Sequence, residues 1–146
     1  LLSAGGSWGQ LLNQGFESAT FAPTGWTTTG WARSTVGANV AVGSAAAICS
    51  SENGVLTTPV LANPTAISFY LGRSNNANAK TLNIRVSTTT QVAAAAGTIV
   101  ATFDHTNVPS ASYNSYSVDL SAYSSFATVY VCFEKVSSTT APWRLD

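Results

Sequence analysis

Charge is what this sequence has least of. Six Lys and Arg against six Asp and Glu leave 8% of 146 residues charged and a formal net charge of zero, where an average soluble domain carries roughly 25%. Binding to nucleic acid leaves a basic patch or stripe, and a polybasic membrane anchor needs clustered Lys and Arg; six scattered cations supply neither. Apolar runs are also short. Nothing approaches the roughly 18 consecutive apolar residues of a membrane-spanning helix. The first twelve residues are apolar but lack the basic start of a signal peptide. Methionine is absent throughout, position 1 included, so the chain is expected to be a processed or excised piece whose gene product ends elsewhere.

The groups that run most enzyme chemistry are scarce as well. There is one histidine, His105. Its acidic neighbour Asp104 precedes it directly and would face the other way on a strand, so the two do not read as part of a Ser-His-Asp triad. No Gly-x-Ser-x-Gly elbow, no Gly-rich phosphate loop and no zinc-ligand spacing occurs. Glu52, Asp104 and Glu134 share no motif that would pair two carboxylates for hydrolysis. Catalysis is therefore not expected. Two cysteines, Cys49 and Cys132, suit one disulfide in a secreted chain. Closing so long a loop would add roughly 4 kcal/mol in the chain-entropy account; two buried free thiols are the alternative.

What the sequence does contain is strand signal. Runs of alternating apolar and polar residues recur between Gly, Pro, Asn and Ser clusters. The clearest are Ala66–Leu71, Thr81–Ser87, Thr98–Phe103, Tyr116–Leu120 and Thr128–Glu134. Weaker ones are Leu11–Glu17, Gly25–Thr29, Ala32–Val36, Ala45–Ser50, Val55–Leu61 and Trp143–Leu145. No 3.6-residue period is sustained, and Gln91–Ala96 reads as a loop or a single helical turn before Gly97. About ten short strands of this kind predict an all-β antiparallel sandwich.

Period-two alternation then assigns faces. Ile67, Phe69 and Leu71 belong to the core, with Leu82, Ile84 and Val86, with Val129, Val131 and Phe133, and with Tyr116, Val118, Leu120, Trp143 and Leu145. The opposite faces bring forward a candidate ligand surface of Tyr70, Asn83, Arg85 and Tyr130, expected on one sheet. Aromatic rings beside planar polar groups suit a sugar, whose C–H faces stack while its hydroxyls bond. The same tyrosines could instead stabilise the sheet as cross-strand pairs. Polar loops, above all Arg73 to Lys80, offer further recognition surface.

The two ends carry motifs: Asn13-Gln-Gly-Phe-Glu17, then Pro23-Thr-Gly-Trp26 and Trp31, and at the close Trp143-Arg-Leu-Asp146. In order and spacing these resemble the cleaved-adhesin, choice-of-anchor and MAM-like modules of secreted bacterial proteins, over nearly the whole of residues 12–146. The resemblance implies a jelly-roll sandwich and a non-catalytic extracellular or cell-surface module for adhesion or carbohydrate binding, with a glycan or surface protein as partner. It also implies a structural Ca²⁺ held where the first and last strands meet, by Glu17 and Asp146 with Asn13 and main-chain carbonyls. An ordinary exposed pair of acids, or Glu17 paired with Arg33 or Arg144, is the alternative. Residues 1–11 carry no family motif and read as a linker, an edge strand, or a donor strand for a neighbouring copy. In that last case the chain would be a self-assembling subunit of a filament, sheath or surface layer, with Trp8 as a contact.

Overall fold

The computed structural model describes residues 1–6, 9–74, 81–136 and 142–146. Its twelve strands are β1 Leu2–Gly6, β2 Gly9–Gln14, β3 Thr27–Thr29, β4 Trp31–Ser34, β5 Ala46–Cys49, β6 Val55–Thr57, β7 Pro64–Arg73, β8 Thr81–Ser87, β9 Thr98–Phe103, β10 Tyr113–Asp119, β11 Tyr130–Val136 and β12 Trp143–Leu145. Three short 3₁₀ turns at Gly37–Asn39, Val92–Ala96 and Ser121–Tyr123 are the helical elements among the described residues. All twelve strands pair antiparallel in two layers. Sheet A holds β1, β2, β4, β5, β7, β10 and β12, and sheet B runs β3-β6-β11-β8-β9. From β5 onward the chain crosses between the layers six times, so residues far apart in sequence meet across one core. This is the all-β antiparallel sandwich that the strand pattern predicts.

Strand β7 is the spine of sheet A. Along one edge it pairs with β10 over its full register, from Tyr113↔Gly72 to Asp119↔Ala66. Two strands share the other edge end to end. β12 takes Leu71 to Arg73 and β1 takes Pro64 to Ser68. The first and last strands thus lie in line beside the same partner, and the main-chain nitrogen of Leu1 comes within 2.8 Å of Asp146 Oδ1. Of the readings for residues 1–11, the edge strand matches the pairing: β1 and β2 form the edge of sheet A. A boundary after residue 11 has no counterpart in that pairing. It would cut through β2, and β1 is hydrogen-bonded on both edges, to β2 and to β7. Within the chain, β1 and β2 pair with each other and β1 with β7. Trp8 lies outside the described residues.

The core follows the alternation. Ile67, Phe69, Leu71, Leu82, Ile84, Val86, Val129, Val131, Phe133, Trp143 and Leu145 are all buried in one cluster. Leu2 and Ala4 of β1 join it, as do Trp26 and Trp31. The opening motif explains itself in the same terms. Phe16 enters the core at 1% exposure and packs against Phe21, tilted at 5.9 Å, and Trp26, edge to face at 5.7 Å. Its φ of +57° is costly for a bulky side chain. Arg33 holds that turn, donating Nε to Phe16 O at 2.9 Å and Nη2 to Glu17 O at 3.0 Å. The inward Phe thereby sends the next residue, Glu17, outward.

The expected disulfide is corrected. Cys49 and Cys132 are both free and buried. Cys49 lies on β5 of sheet A within the core cluster. Cys132 lies on β11 of sheet B between Val131 and Phe133, whose inward side chains turn it to the outer face. The two thiols therefore sit on different sides of sheet B. Burial raises the pKa of Cys49 and pushes that of Cys132 up to about 11, so both are thiols rather than thiolates at neutral pH. A thiol-titration assay on the native protein is expected to find neither group reactive, and to find both once denaturant is added. Native reactivity of either one contradicts their burial.

Candidate functional site

The outer face of sheet B carries the polar groups of interest. One row crosses all five strands in register: Thr29 on β3, Val55 on β6, Glu134 on β11, Asn83 on β8 and Thr102 on β9. At one strand spacing per step it spans about 19 Å. The next row is Thr27, Thr57, Cys132 and Arg85. Alternation puts these residues outward because Leu56, Leu82, Ile84, Val131 and Phe133 point in.

Hydrogen bonds tie the centre of this face together. Glu134 Oε2 accepts Arg85 Nε at 2.6 Å and Asn83 Nδ2 at 3.2 Å. The Thr102 hydroxyl donates to Asn83 Oδ1 at 3.0 Å, and Arg85 Nη1 donates to Gly97 O at 2.9 Å. The two charges cancel within the network. Both bonds to the carboxylate fall on Oε2, which leaves Oε1 as an acceptor for another donor.

A groove of about 310 Å³ opens beside this network, at the β3–β6 end. Thr27, Thr29, Val55 and Thr57 form its floor, and Gln91, Val92 and Ala95 of the 3₁₀ segment form a wall. Gln91 pins the start of that wall, donating Nε2 to Gly25 O at 2.7 Å and to Thr58 O at 2.8 Å. Ala94 is fully buried, while Val92 is 87% exposed on the rim with no core to serve. The groove thus offers hydroxyls, two apolar patches and no unpaired charge among the described residues.

The four residues of the expected ligand surface divide between the two sheets, three against one. Asn83, Arg85 and Tyr130 do share the outer face of sheet B. Tyr70 does not: it lies on β7 of sheet A, opposite Ser115 and exchanging main-chain bonds with Asp146. The four residues cannot contact one ligand. Sequence reasoning missed Glu134 as the hub, the threonine floor and the 91–96 wall. The run Thr27-Thr28-Thr29 and the shared parity of Tyr130 and Glu134 were the available signals.

Part of the outer face of sheet A, around Tyr113, Arg144 and Asp146, is covered by its own chain. A loop, residues 36–45, crosses it. Arg144 Nη1 donates to Ala38 O at 3.1 Å, and the Tyr113 hydroxyl bonds Asn39 O. Asp146 Oδ2 accepts Ala41 N at 3.0 Å and Val42 N at 2.7 Å. Glu17 Oε1 accepts Ser44 N at 3.0 Å and Ala45 N at 3.3 Å, and its Oε2 accepts the Ser44 hydroxyl at 2.5 Å. Those bonds, led by the Ser44 hydroxyl and then its amide, lower the Glu17 pKa. Calcium requires six to eight oxygen ligands. The donor set around this pair does not fit it: what points at the two carboxylates is N–H and O–H hydrogen, and Asn13, exposed on β2, bonds neither of them. Among the described residues no cluster of three or more His, Cys, Asp or Glu side chains forms a metal site.

The remaining candidates are structural. His105 stands exposed in the turn after β9, and its carbonyl accepts Arg73 Nη2. Asp104 Oδ1 accepts Thr106 N and the Thr106 hydroxyl at 2.7 and 2.6 Å, which closes the same turn. Tyr116 packs on Phe103 and Phe69. Residues 75–80 of the loop from Arg73 to Lys80 lie outside the described residues.

No family model and no curated protein matches this sequence. Solved structures do match the fold. The K2 cleaved adhesin domain of Lys-gingipain, a Porphyromonas gingivalis protein, superposes with a TM-score of 0.72 at 19% identity, over 91% of this chain and 94% of that one. The CBM22-1 xylan-binding domain of Paenibacillus barcinonensis Xyn10C gives 0.63 at 17% identity, over 93% and 89%. TmCBM61, solved with β-1,4-galactotriose, gives 0.55 at 12% identity, over 90% and 88%. At these identities the likeness is one of fold. The chain has the β-sandwich fold of cleaved-adhesin domains, which its terminal motifs resemble, and of carbohydrate-binding modules.

Proposed function

We propose that this chain is a non-catalytic extracellular module that adheres to surfaces by binding uncharged carbohydrate on the outer face of sheet B. The observation that carries the reading is the threonine-floored groove beside Glu134, whose Oε1 is open and whose charge Arg85 already balances. Sugar C–H faces would lie on Val55 and Val92, and sugar hydroxyls would bond the threonines and Glu134. An anionic sugar would bring a charge to desolvate with its natural partner, Arg85, already engaged. The fold shared with a xylan-binding domain and a galactotriose-binding module supports the same class of ligand.

The test is affinity electrophoresis in gels containing xylan, β-1,4-galactan or polygalacturonate. At least one neutral polymer is expected to retard the protein, and polygalacturonate is not. Replacing Arg85 and Glu134 together by alanine keeps the net charge and should weaken retention by roughly tenfold, since the shared acceptor is lost. Tyr70→Ala, on the other sheet, should leave it unchanged. Failure of every neutral polymer to retard the wild-type protein would sink the reading, and loss of retention in Tyr70→Ala would move the site.

A further inference from the structure

Glu17 and Asp146 are the two acids that the resemblance assigns to calcium, yet each grips the main chain of the 36–45 loop, Asp146 at Ala41 and Val42 and Glu17 at Ser44 and Ala45. We propose that they are the jaws of a metal-free latch, which fastens this loop over the outer face of sheet A by direct carboxylate to N–H bonds and makes the module independent of calcium.

Four amides in two pairs meet the jaws. Ala41 N and Val42 N point at Asp146 Oδ2, and Ser44 N and Ala45 N point at Glu17 Oε1. Asp146 is fully buried and its other oxygen faces the Leu1 main-chain nitrogen. Glu17's other oxygen takes the Ser44 hydroxyl. Successive N–H groups turned toward one point form an anion-binding concavity, and bonds to an ionised acceptor are the strong kind. The same lone pairs would have to bind a cation, which would then face the positive ends of four N–H dipoles. The loop is built for carboxylate, and the carboxylates come from the protein.

Gly43, between the two amide pairs, supplies an independent argument. Its φ is +80°, and a Cβ there would lie 2.2 Å from Glu17 Oε1. The carboxylate can close on the loop only because that position has no side chain. Arg144 and Tyr113 hold the other half of the loop through Ala38 O and Asn39 O. The strap is therefore tied along most of its length.

The experiment compares calcium dependence and amide exchange in the full chain. The Tm should be the same in excess EDTA and in millimolar CaCl₂, and calorimetric titration with CaCl₂ should give no saturable heat. Amides of Ala41, Val42, Ser44 and Ala45 should be protected from hydrogen exchange. Glu17→Gln, at an exposed position, should speed exchange at Ser44 and Ala45 by roughly tenfold while the core strands keep their protection. Gly43→Ala should do the same, and Asp146→Asn should release Ala41 and Val42. If Asp146→Asn fails to fold, the Glu17 and Gly43 variants still decide the matter. A Tm that falls on chelation, saturable calcium binding, or exchange at these amides that neither variant changes would each overturn the latch.

Discussion

Replacing Phe69 by alanine is expected to lower stability by about 3–5 kcal/mol, the range for truncating a large buried aromatic residue. Phe69 is 1% exposed on β7 and is the point where the two layers interlock. Its ring meets Phe133 of β11 at 5.3 Å and Phe103 of β9 at 5.7 Å, both edge to face, and Tyr116 of β10 at 6.3 Å. Two of those partners belong to sheet B. Truncation removes the contact surface and leaves a cavity between sheets that cannot close without moving a strand. For a chain of this length the loss corresponds to a fall in Tm of roughly 10–15 °C. Phe126→Ala is the control, because that ring is 44% exposed and its loss should stay within about 0.5 kcal/mol. Equal effects from the two substitutions would mean that the layers do not pack through Phe69.

The second large effect is expected at Gly97, where the wall of the groove is hinged. Its φ of −69° is ordinary, so the demand is for space rather than for backbone freedom. A Cβ at this position would lie 2.2 Å from the carbonyl oxygen of Val86 and 2.7 Å from its carbon. Both are main-chain atoms of a central strand and cannot give way as a side chain would. Gly97→Ala must therefore lift the 91–96 segment off sheet B. That breaks the bond from Arg85 to Gly97 O, frees Gln91 from its two carbonyls and uncovers Ala94. Overpacking of this kind costs about 1–3 kcal/mol. The larger consequence is functional: with the wall displaced, retention on the neutral polymer should disappear while circular dichroism still shows a sandwich. Undiminished retention in a folded Gly97→Ala protein would place binding away from the groove.

The sequence announces some parts of this arrangement and conceals others, for physical reasons. Strands β8, β9 and β12 were expected at the residues where they occur, because Leu82, Ile84 and Val86 or Trp143 and Leu145 alternate strictly between turn-forming neighbours. For β1 the sequence leaves a linker, an edge strand and a donor strand open. Leu-Ser-Ala-Gly-Gly has no branched or aromatic residue, and its extended form is imposed by pairing with β2 and β7 rather than by local preference. Alternation places a side chain on a face of its own strand but does not say which sheet the strand joins. Asn83, Arg85 and Tyr130 share a face because β8 and β11 are neighbours; Tyr70 lies apart from them because β7 belongs to the other layer. The disulfide failed for a reason already legible, since the parity that buries Val131 and Phe133 turns Cys132 away from the core. Composition favoured a bridge, and topology forbids it. Glu17 and Asp146 carry the terminal motifs, but which donors each one meets depends on the 36–45 loop, which has no pattern to read.

The account turns on which face of the sandwich meets the partner, and amide chemical-shift mapping measures this directly. Xylan and β-1,4-galactan oligosaccharides would be titrated into the isotopically labelled protein. The predicted result is a contiguous set of shifts at Thr27–Thr29, Val55–Thr57, Gln91–Ala95 and Glu134, with the amides of Tyr70, Tyr113 and residues 41–45 unmoved. Shifts centred on sheet A, under or around the strap, would contradict it.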